Sequence, residues 1–203
     1  MGPLSSGNYS AGSVADGEFE GANASDWAGN RVGWGGDTNA DGYDDCLVGA
    51  PDESSNGASS GAAYLVLGSA SSTGTLSVSS ADALIFGINA GDSAGGAING
   101  LGDTDGDSYD DIAIAVAGAD DAATNAGTAY LFYGPVTGTL DTNDADASFQ
   151  GQTANDYAGN QVAPLGDINN DGLGDWAIGA SSQDDTSSGD DEGAVYGILG
   201  TGY

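Results

Sequence analysis

Three acidic decapeptides carry the residues of this chain best suited to chemistry. They read Gly36-Asp37-Thr38-Asn39-Ala40-Asp41-Gly42-Tyr43-Asp44-Asp45, Gly102-Asp103-Thr104-Asp105-Gly106-Asp107-Ser108-Tyr109-Asp110-Asp111 and Gly166-Asp167-Ile168-Asn169-Asn170-Asp171-Gly172-Leu173-Gly174-Asp175. Counted from Asp37, Asp103 and Asp167, an Asp or Asn stands at positions 1, 3, 5 and 9 of each. Alternate oxygen side chains on a tight, Gly-bearing loop can converge on one point, and a hard cation such as Ca²⁺ takes about six to eight oxygen ligands of that kind. Position 7 is Tyr43, Tyr109 or Leu173. It would offer its backbone carbonyl, which leaves its side chain free to vary.

Two plainer readings compete. An Asx-rich turn needs no ion, but three such loops, each crowding three or four carboxylates, favour a cation to offset their repulsion. An EF-hand begins the same way and needs an acidic residue at position 12 between two helices. Position 12 here is Val48, Ile114 or Ile178, inside an apolar run, so that reading fails.

The elements that position these loops repeat with them. The loop starts lie 66 and 64 residues apart, and a Gly-Ala/Thr-x-Tyr landmark at Gly61, Gly127 and Gly193 recurs every 66. Such a period marks a repeat architecture and overrides the disorder that a Gly-rich, Ser-rich composition would otherwise suggest. The units run over 14–81, 82–146 and 147–203, after a Gly/Ser-rich leader at 1–13 that is expected to be flexible. Short, Gly-bounded, partly β-branched runs predict strands at 46–50, 112–116 and 176–180, and at 62–67, 128–133 and 194–199. Further strands are expected around Val32, Ile98 and Val162, and around Phe19, Ile85 and Phe149. Four short strands per repeat with no helical stripe predict an all-β chain built of four-stranded antiparallel propeller blades.

These residues resemble the FG-GAP repeat of integrin α-chain β-propellers and their bacterial relatives. The likeness rests on Ala28-Gly29-Asn30-Arg31-Val32, the acidic loop, and Val48-Gly49-Ala50-Pro51, with Gly179-Ala180 keeping two of the three GAP letters. The aromatic of FG is replaced by Ala at Ala28, Ala94 and Ala158, and Trp27 and Tyr157 stand one residue earlier. The second copy, Ala115-Val116-Ala117-Gly118, has lost the GAP letters. The resemblance covers about residues 16–200. It implies three Ca²⁺ sites, with ligands Asp37, Asn39, Asp41 and Asp45; Asp103, Asp105, Asp107 and Asp111; and Asp167, Asn169, Asp171 and Asp175. The carbonyls of Tyr43, Tyr109 and Leu173 complete the sets. The second loop departs by carrying its Gly at 106 rather than 108, which puts its turn in question.

The strand inventory is one strand, two full blades and three strands. It fits a partial propeller, or a ring that two chains close by exchanging their N-terminal strands. Tyr64, Tyr130 and Tyr196 are expected to pack between blades.

Charge limits the function. Thirty-one acidic residues face one basic residue, Arg31, with no His, for a net charge of −30. That argues against nucleic acid and anionic membrane surfaces as partners, and it leaves no His or Lys for general-base or Schiff-base work. The acids outside the loops read as a solvated surface. The lone Cys46 excludes an internal disulfide and reads as a small buried apolar residue. No apolar stretch approaches a membrane span, and no basic-plus-apolar signal segment opens the chain. Asn8-Tyr9-Ser10 and Asn23-Ala24-Ser25 match the N-glycosylation acceptor.

The expected function is a non-enzymatic, calcium-binding extracellular or cell-surface module for adhesion or protein recognition. Its binding loops would lie at 51–60, 117–126 and 181–192. The alternative is a calcium-dependent lectin that stacks sugar on Trp27 and Tyr157. A hydrolase would have to rest on Asp184 and Asp185, the one acidic pair that the loops do not claim.

Overall fold

The computed structural model describes residues 17–70, 74–183 and 192–202, and over these residues the protein is all-β. In chain order the strands are β1 (Gly17–Glu20), β2 (Arg31–Gly36), β3 (Asp45–Ala50), β4 (Ala62–Val66), β5 (Gly74–Ser77), β6 (Ala83–Phe86) and β7 (Ala97–Gly102). They continue as β8 (Asp111–Val116), β9 (Thr128–Phe132), β10 (Gly138–Asp141), β11 (Ala147–Gln150), β12 (Ala158–Gly166), β13 (Asp175–Ala180) and β14 (Ala194–Ile198). Single 3-10 turns at Val78–Ser80 and Thr142–Asp144 lead into β6 and β11. Among the described residues no helix is long and apolar enough to cross a membrane.

The strands form three main sheets and a ribbon. The sheet orders are β10-β6-β4-β3-β2, β11-β9-β8-β7 and β12-β13-β14, and the ribbon is β1-β5. All three sheets are antiparallel in their first three strands, and β6 and β11 add antiparallel to β4 and β9. The first two sheets therefore take their fourth strand from the start of the next sequence unit.

The expectation of four antiparallel strands per blade needs correcting. Only the second sheet has that form. The first carries a fifth strand, because β10 pairs parallel to β6, just as β5 pairs parallel to β1. Neither β5 nor β10 was expected. Their signal is the repeated Thr73-Gly74-Thr75-Leu76 and Thr137-Gly138-Thr139-Leu140, runs too short and polar to stand out by alternation. The third sheet has three strands among the described residues.

The sheets stack face on face, and side-chain alternation along each strand decides which residues meet. Leu47, Ala63, Leu65 and Ile85 of the first sheet pack on Ile98, Ile114, Tyr130 and Phe132 of the second. Ala113, Ala129 and Leu131, on the far face of the second sheet, pack on Val162, Trp176 and Ile178 of the third. Phe149 of β11 meets Trp176 edge-to-face, with ring centroids 5.0 Å apart at 88°, a favoured aromatic geometry. The opening strands β2, β7 and β12 lie side by side. At Gly100 a Cβ would stand 2.5 Å from the Gly35 carbonyl oxygen, so backbone meets backbone there.

Of the Tyr landmark, Tyr130 packs between the first and second sheets and Tyr196, partly buried, between the second and third, as expected, whereas Tyr64 is buried among first-sheet residues and Val78 with no other sheet against it among the described residues. Burial and the charge of Glu53 push the Tyr64 phenol up to about 12. Tyr130 donates to Asp121 Oδ2 at 2.5 Å, and Tyr196 donates to Gln183. Cys46 is only half-buried, against the Val48–Tyr64 cluster, and burial raises its thiol.

Gly127 and Gly138 both have positive φ, near +79° and +81°. A Cβ on Gly127 would stand 2.2 Å from the Ala158 carbonyl oxygen, whereas one on Gly138 would meet nothing within 4 Å. Gly138→Ala is expected to cost about 1 kcal/mol, the conformational term alone. Gly127→Ala should cost about 3 kcal/mol or more, because the second sheet must part from the third. Urea unfolding of the two variants checks the ordering, and equal costs would refute the close approach.

Candidate metal centre

Each acidic loop joins the first two strands of a sheet: β2 to β3, β7 to β8, β12 to β13. The three loops share one backbone. Positions 4 and 6 are left-handed in each, at Ala40 and Gly42, Gly106 and Ser108, Asn170 and Gly172. The displaced glycine of the second loop therefore leaves the turn intact and moves the non-Gly cost from position 4 to position 6, Ser108 at φ 76°.

The first-position carboxylates hold the turns closed. Asp37 accepts from the Asp41 and Gly42 amides at 2.9 and 2.8 Å, and Asp167 from Asp171 and Gly172 at 3.0 and 2.9 Å. Asp103 accepts from Gly106 and Ser108 at 2.6 and 3.0 Å. At position 3, Asn39, Asp105 and Asn169 accept from the amide at position 5. At position 5, Asp41, Asp107 and Asp171 accept from the amides of Tyr43, Tyr109 and Leu173. In the first and third loops the Asn39 and Asn169 amides also donate to Asp41 and Asp171, at 3.1 and 2.8 Å.

Position 9 is buried and reaches further. Asp45 Oδ2 accepts from Thr38 N and Oγ1, while its Oδ1 accepts from Gly68 N. Asp111 repeats this with Thr104 and Gly134, and Asp175 with the amides of Ile168 and Gly200. Each of these carboxylates thus ties the start of its loop to the chain just past the third strand of its sheet. The third loop lacks the hydroxyl because Ile168 replaces Thr, and that side chain is exposed.

The loops also grip one another. Asp37 N donates to Asp110 Oδ2 at 2.8 Å, and Asp110 N donates back to the Asp37 carbonyl at 3.2 Å. Gly174 N donates to the Asp103 carbonyl at 2.7 Å.

Acidic ligand atoms gather most closely in the second loop. Among the described residues, Asp103, Asp105 and Asp111 form the one group of three acidic side chains with ligand atoms within 4.8 Å of one another. Asp105 and Asp111 are buried, and Asp105 Oδ2 is a buried oxygen with no hydrogen-bond partner. An unpaired oxygen on a buried carboxylate that clusters with two more carboxylates is costly unless a cation lies against it. Three hard oxygen donors suit Ca²⁺ or Mg²⁺ over a soft metal. The donor set fits the ion that the loop pattern implies. Asn at position 3 denies the first and third loops the same acidic trio, and Asp107 lies outside the trio in the second.

Burial raises Asp111 to about 6, with the charge of Asp105 adding to the rise against the pull of the Thr104 and Gly134 donors. Burial also raises Asp110 and Asp92, helped by neighbouring Asp charges.

At the opposite end of the sheets, Asp26, Asp92 and Asp156 are buried turn acids that sequence reading gave no role. Asp156 accepts from Gln152 and Thr153, Asp92 from Asn89, and Asp26 from the Asn23 amide. Their signal was the constant Asp ahead of Trp27, Ser93 and Tyr157. Asp184, Asp185, Asn8 and the 1–13 leader lie outside the described residues, as does most of the 181–192 loop. No known family model matches the chain, and no curated protein matches it.

Two outcomes are expected. The folded value of Asp111 lies above its ordinary 3.8, so metal-free protein gains stability as pH falls through about 6 toward 4 and loses it as pH rises. Added Ca²⁺ should reverse that slope, because protons and the ion compete for one carboxylate. Calorimetric melting in EDTA and in Ca²⁺ reads both signs, and a midpoint that falls on acidification in EDTA would contradict the burial argument. Asp105→Asn should leave metal-free stability equal or higher, yet weaken Ca²⁺ binding by about tenfold or more, a loss of about 1.4 kcal/mol.

Proposed function

We propose that the chain is a calcium-stabilised β-propeller module of FG-GAP type, extracellular or at a cell surface, that recognises a protein ligand without catalysing a reaction. The observation that carries this reading is the second loop, where Asp105 clusters with Asp103 and Asp111 and its Oδ2 is buried and unpaired. The same loop backbone recurs on all three sheets.

In this reading the ion is structural. Asp103, Asp105 and Asp111 hold it, and Asp107 and the Tyr109 carbonyl are the further ligands that the family pattern supplies. The first loop would bind through Asp37, Asn39, Asp41, Asp45 and the Tyr43 carbonyl, and the third through Asp167, Asn169, Asp171, Asp175 and the Leu173 carbonyl. The ion's chemistry is charge neutralisation, which removes carboxylate repulsion and fixes the loops. Ligand recognition then falls to the loops at the other end, 51–60 and 117–126, which differ in sequence while the strands repeat.

One observation favours the lectin reading as the second choice. Tyr157 lines a cavity of about 340 Å³ where the three sheets meet, beside Arg31 of β2, Asp92 and Asn160. An aromatic face with polar groups around it suits a sugar ring.

Titration calorimetry with Ca²⁺ and with Mg²⁺ tests the calcium reading. The expected result is Ca²⁺ binding with a raised melting temperature, each occupied site adding about 2.7 kcal/mol once free Ca²⁺ is a hundredfold above Kd. Absence of both heat and thermal shift at millimolar Ca²⁺ would overturn it. A glycan array in Ca²⁺, read beside Tyr157→Ala, separates the two ligand classes: sugar binding lost in the variant would put the lectin first.

A further inference from the structure

The described strands leave two complementary sheet edges without partners. The first sheet has the order β10-β6-β4-β3-β2; the third stops at β14, and the ribbon holds only β5-β1. Within the repeat, β1 is the counterpart of β6 and β5 of β10. The ribbon therefore corresponds to the two strands that the third sheet lacks among the described residues. We propose that β14 of one copy of this chain pairs with β1 of a second copy, so that two chains complete one another's end sheets and close a ring of six.

Register follows from the two intact cases. Phe86 lies opposite Ala62 and Ile85 opposite Ala63; Gln150 lies opposite Thr128 and Phe149 opposite Ala129. The same offsets place Glu20 opposite Ala194 and Phe19 opposite Val195 in the second copy, antiparallel. The joined sheet then reads β5-β1-β14-β13-β12, matching the first sheet strand for strand.

Exposure supports the same partner. All nine exposed large apolar side chains among the described residues lie at 19–43 or at 165–199. Val32 is 70% exposed, while its counterparts Ile98 and Val162 are 6% and 2% exposed beneath the preceding sheet. Val195 is 76% exposed, while its counterparts Ala63 and Ala129 are fully covered by the following sheet. One end of the stack thus bares the face that an internal sheet presents backward, and the other end bares the face it presents forward. A second copy laid head to tail buries both in the contact already made twice within one chain. This is a heterologous interface, which must close into a ring or grow as a filament. Rings of this kind hold about four to eight sheets; two copies supply six, and three would exceed the range.

The inference does not rest on calcium, and its test can fail separately. Light scattering of the full chain at about 0.15 M salt, where charge repulsion is screened beyond ~8 Å, should give twice the 19.7 kDa of one chain. It should do so whether or not Ca²⁺ binding is detected. Val195→Asp, at a position exposed in one copy, should leave the melting of the single chain intact and return the mass to that of one chain. In a Cys46→Ala background, Glu20→Cys with Ala194→Cys should give a disulfide-linked dimer, whereas Glu20→Cys with Val195→Cys, whose side chains face opposite ways, should not. A single-chain mass at every concentration, or an open ladder of multimers, would overturn the proposal. So would a dimer indifferent to Val195→Asp and without the registered cross-link.

Discussion

The structure depends on a carboxylate that is buried and fully bonded at the end of each acidic loop. Asp45, Asp111 and Asp175 each take amide donors from two directions: one from the start of the loop, the other from a glycine just past the third strand. A buried carboxylate that lost either donor would face the full desolvation penalty. Loop, second strand and third strand are therefore fixed together. In a chain with one basic residue, ion pairs cannot do this work, and backbone amides take their place.

That constraint explains why the loops can lie close together despite their charge. Asp110 reaches the Asp37 amide, and Gly174 reaches the Asp103 carbonyl, so the second loop is bonded to both neighbours. Asp110 pays for the approach with a raised carboxyl, burial being the first cause and the charges of Asp37, Asp103 and Asp44 adding to it. The sheets beneath are spaced by their alternating faces, and the same apolar contact is made twice, first sheet on second and second on third.

Much of this was legible in the sequence because the information was local and repeated. The run Ile112-Ala113-Ile114-Ala115-Val116 could only be a short strand, and β8 begins one residue earlier. Phe19, Ile85 and Phe149 sit on strands, as their shared place in the repeat implied. Three things were not legible. The parallel strands β5 and β10 gain their order from pairing with β1 and β6 rather than from their own alternation. The position of Gly106 put the second turn in question, yet Ser108 adopts the left-handed conformation because the flanking bonds to Asp103 and Asp107 hold it there. The carboxylate at position 3 of the second loop could be read from the sequence, but not that its Oδ2 would be left buried and unpaired.

The middle loop is then the place where an ion would do most. Asp105 Oδ2 is unpaired there, so an ion gains a ligand that no protein donor has claimed. In the outer loops the Asn39 and Asn169 amides already occupy an oxygen of Asp41 and Asp171, so an ion must displace or share a bond that exists. Affinity should fall accordingly, since only the surplus over existing bonds appears as binding free energy. Because the middle loop is hydrogen-bonded to both others, fixing it also restricts them. An ion at Asp103, Asp105 and Asp111 would thus lower the ordering cost of filling the outer loops, which is positive cooperativity by way of conformational entropy.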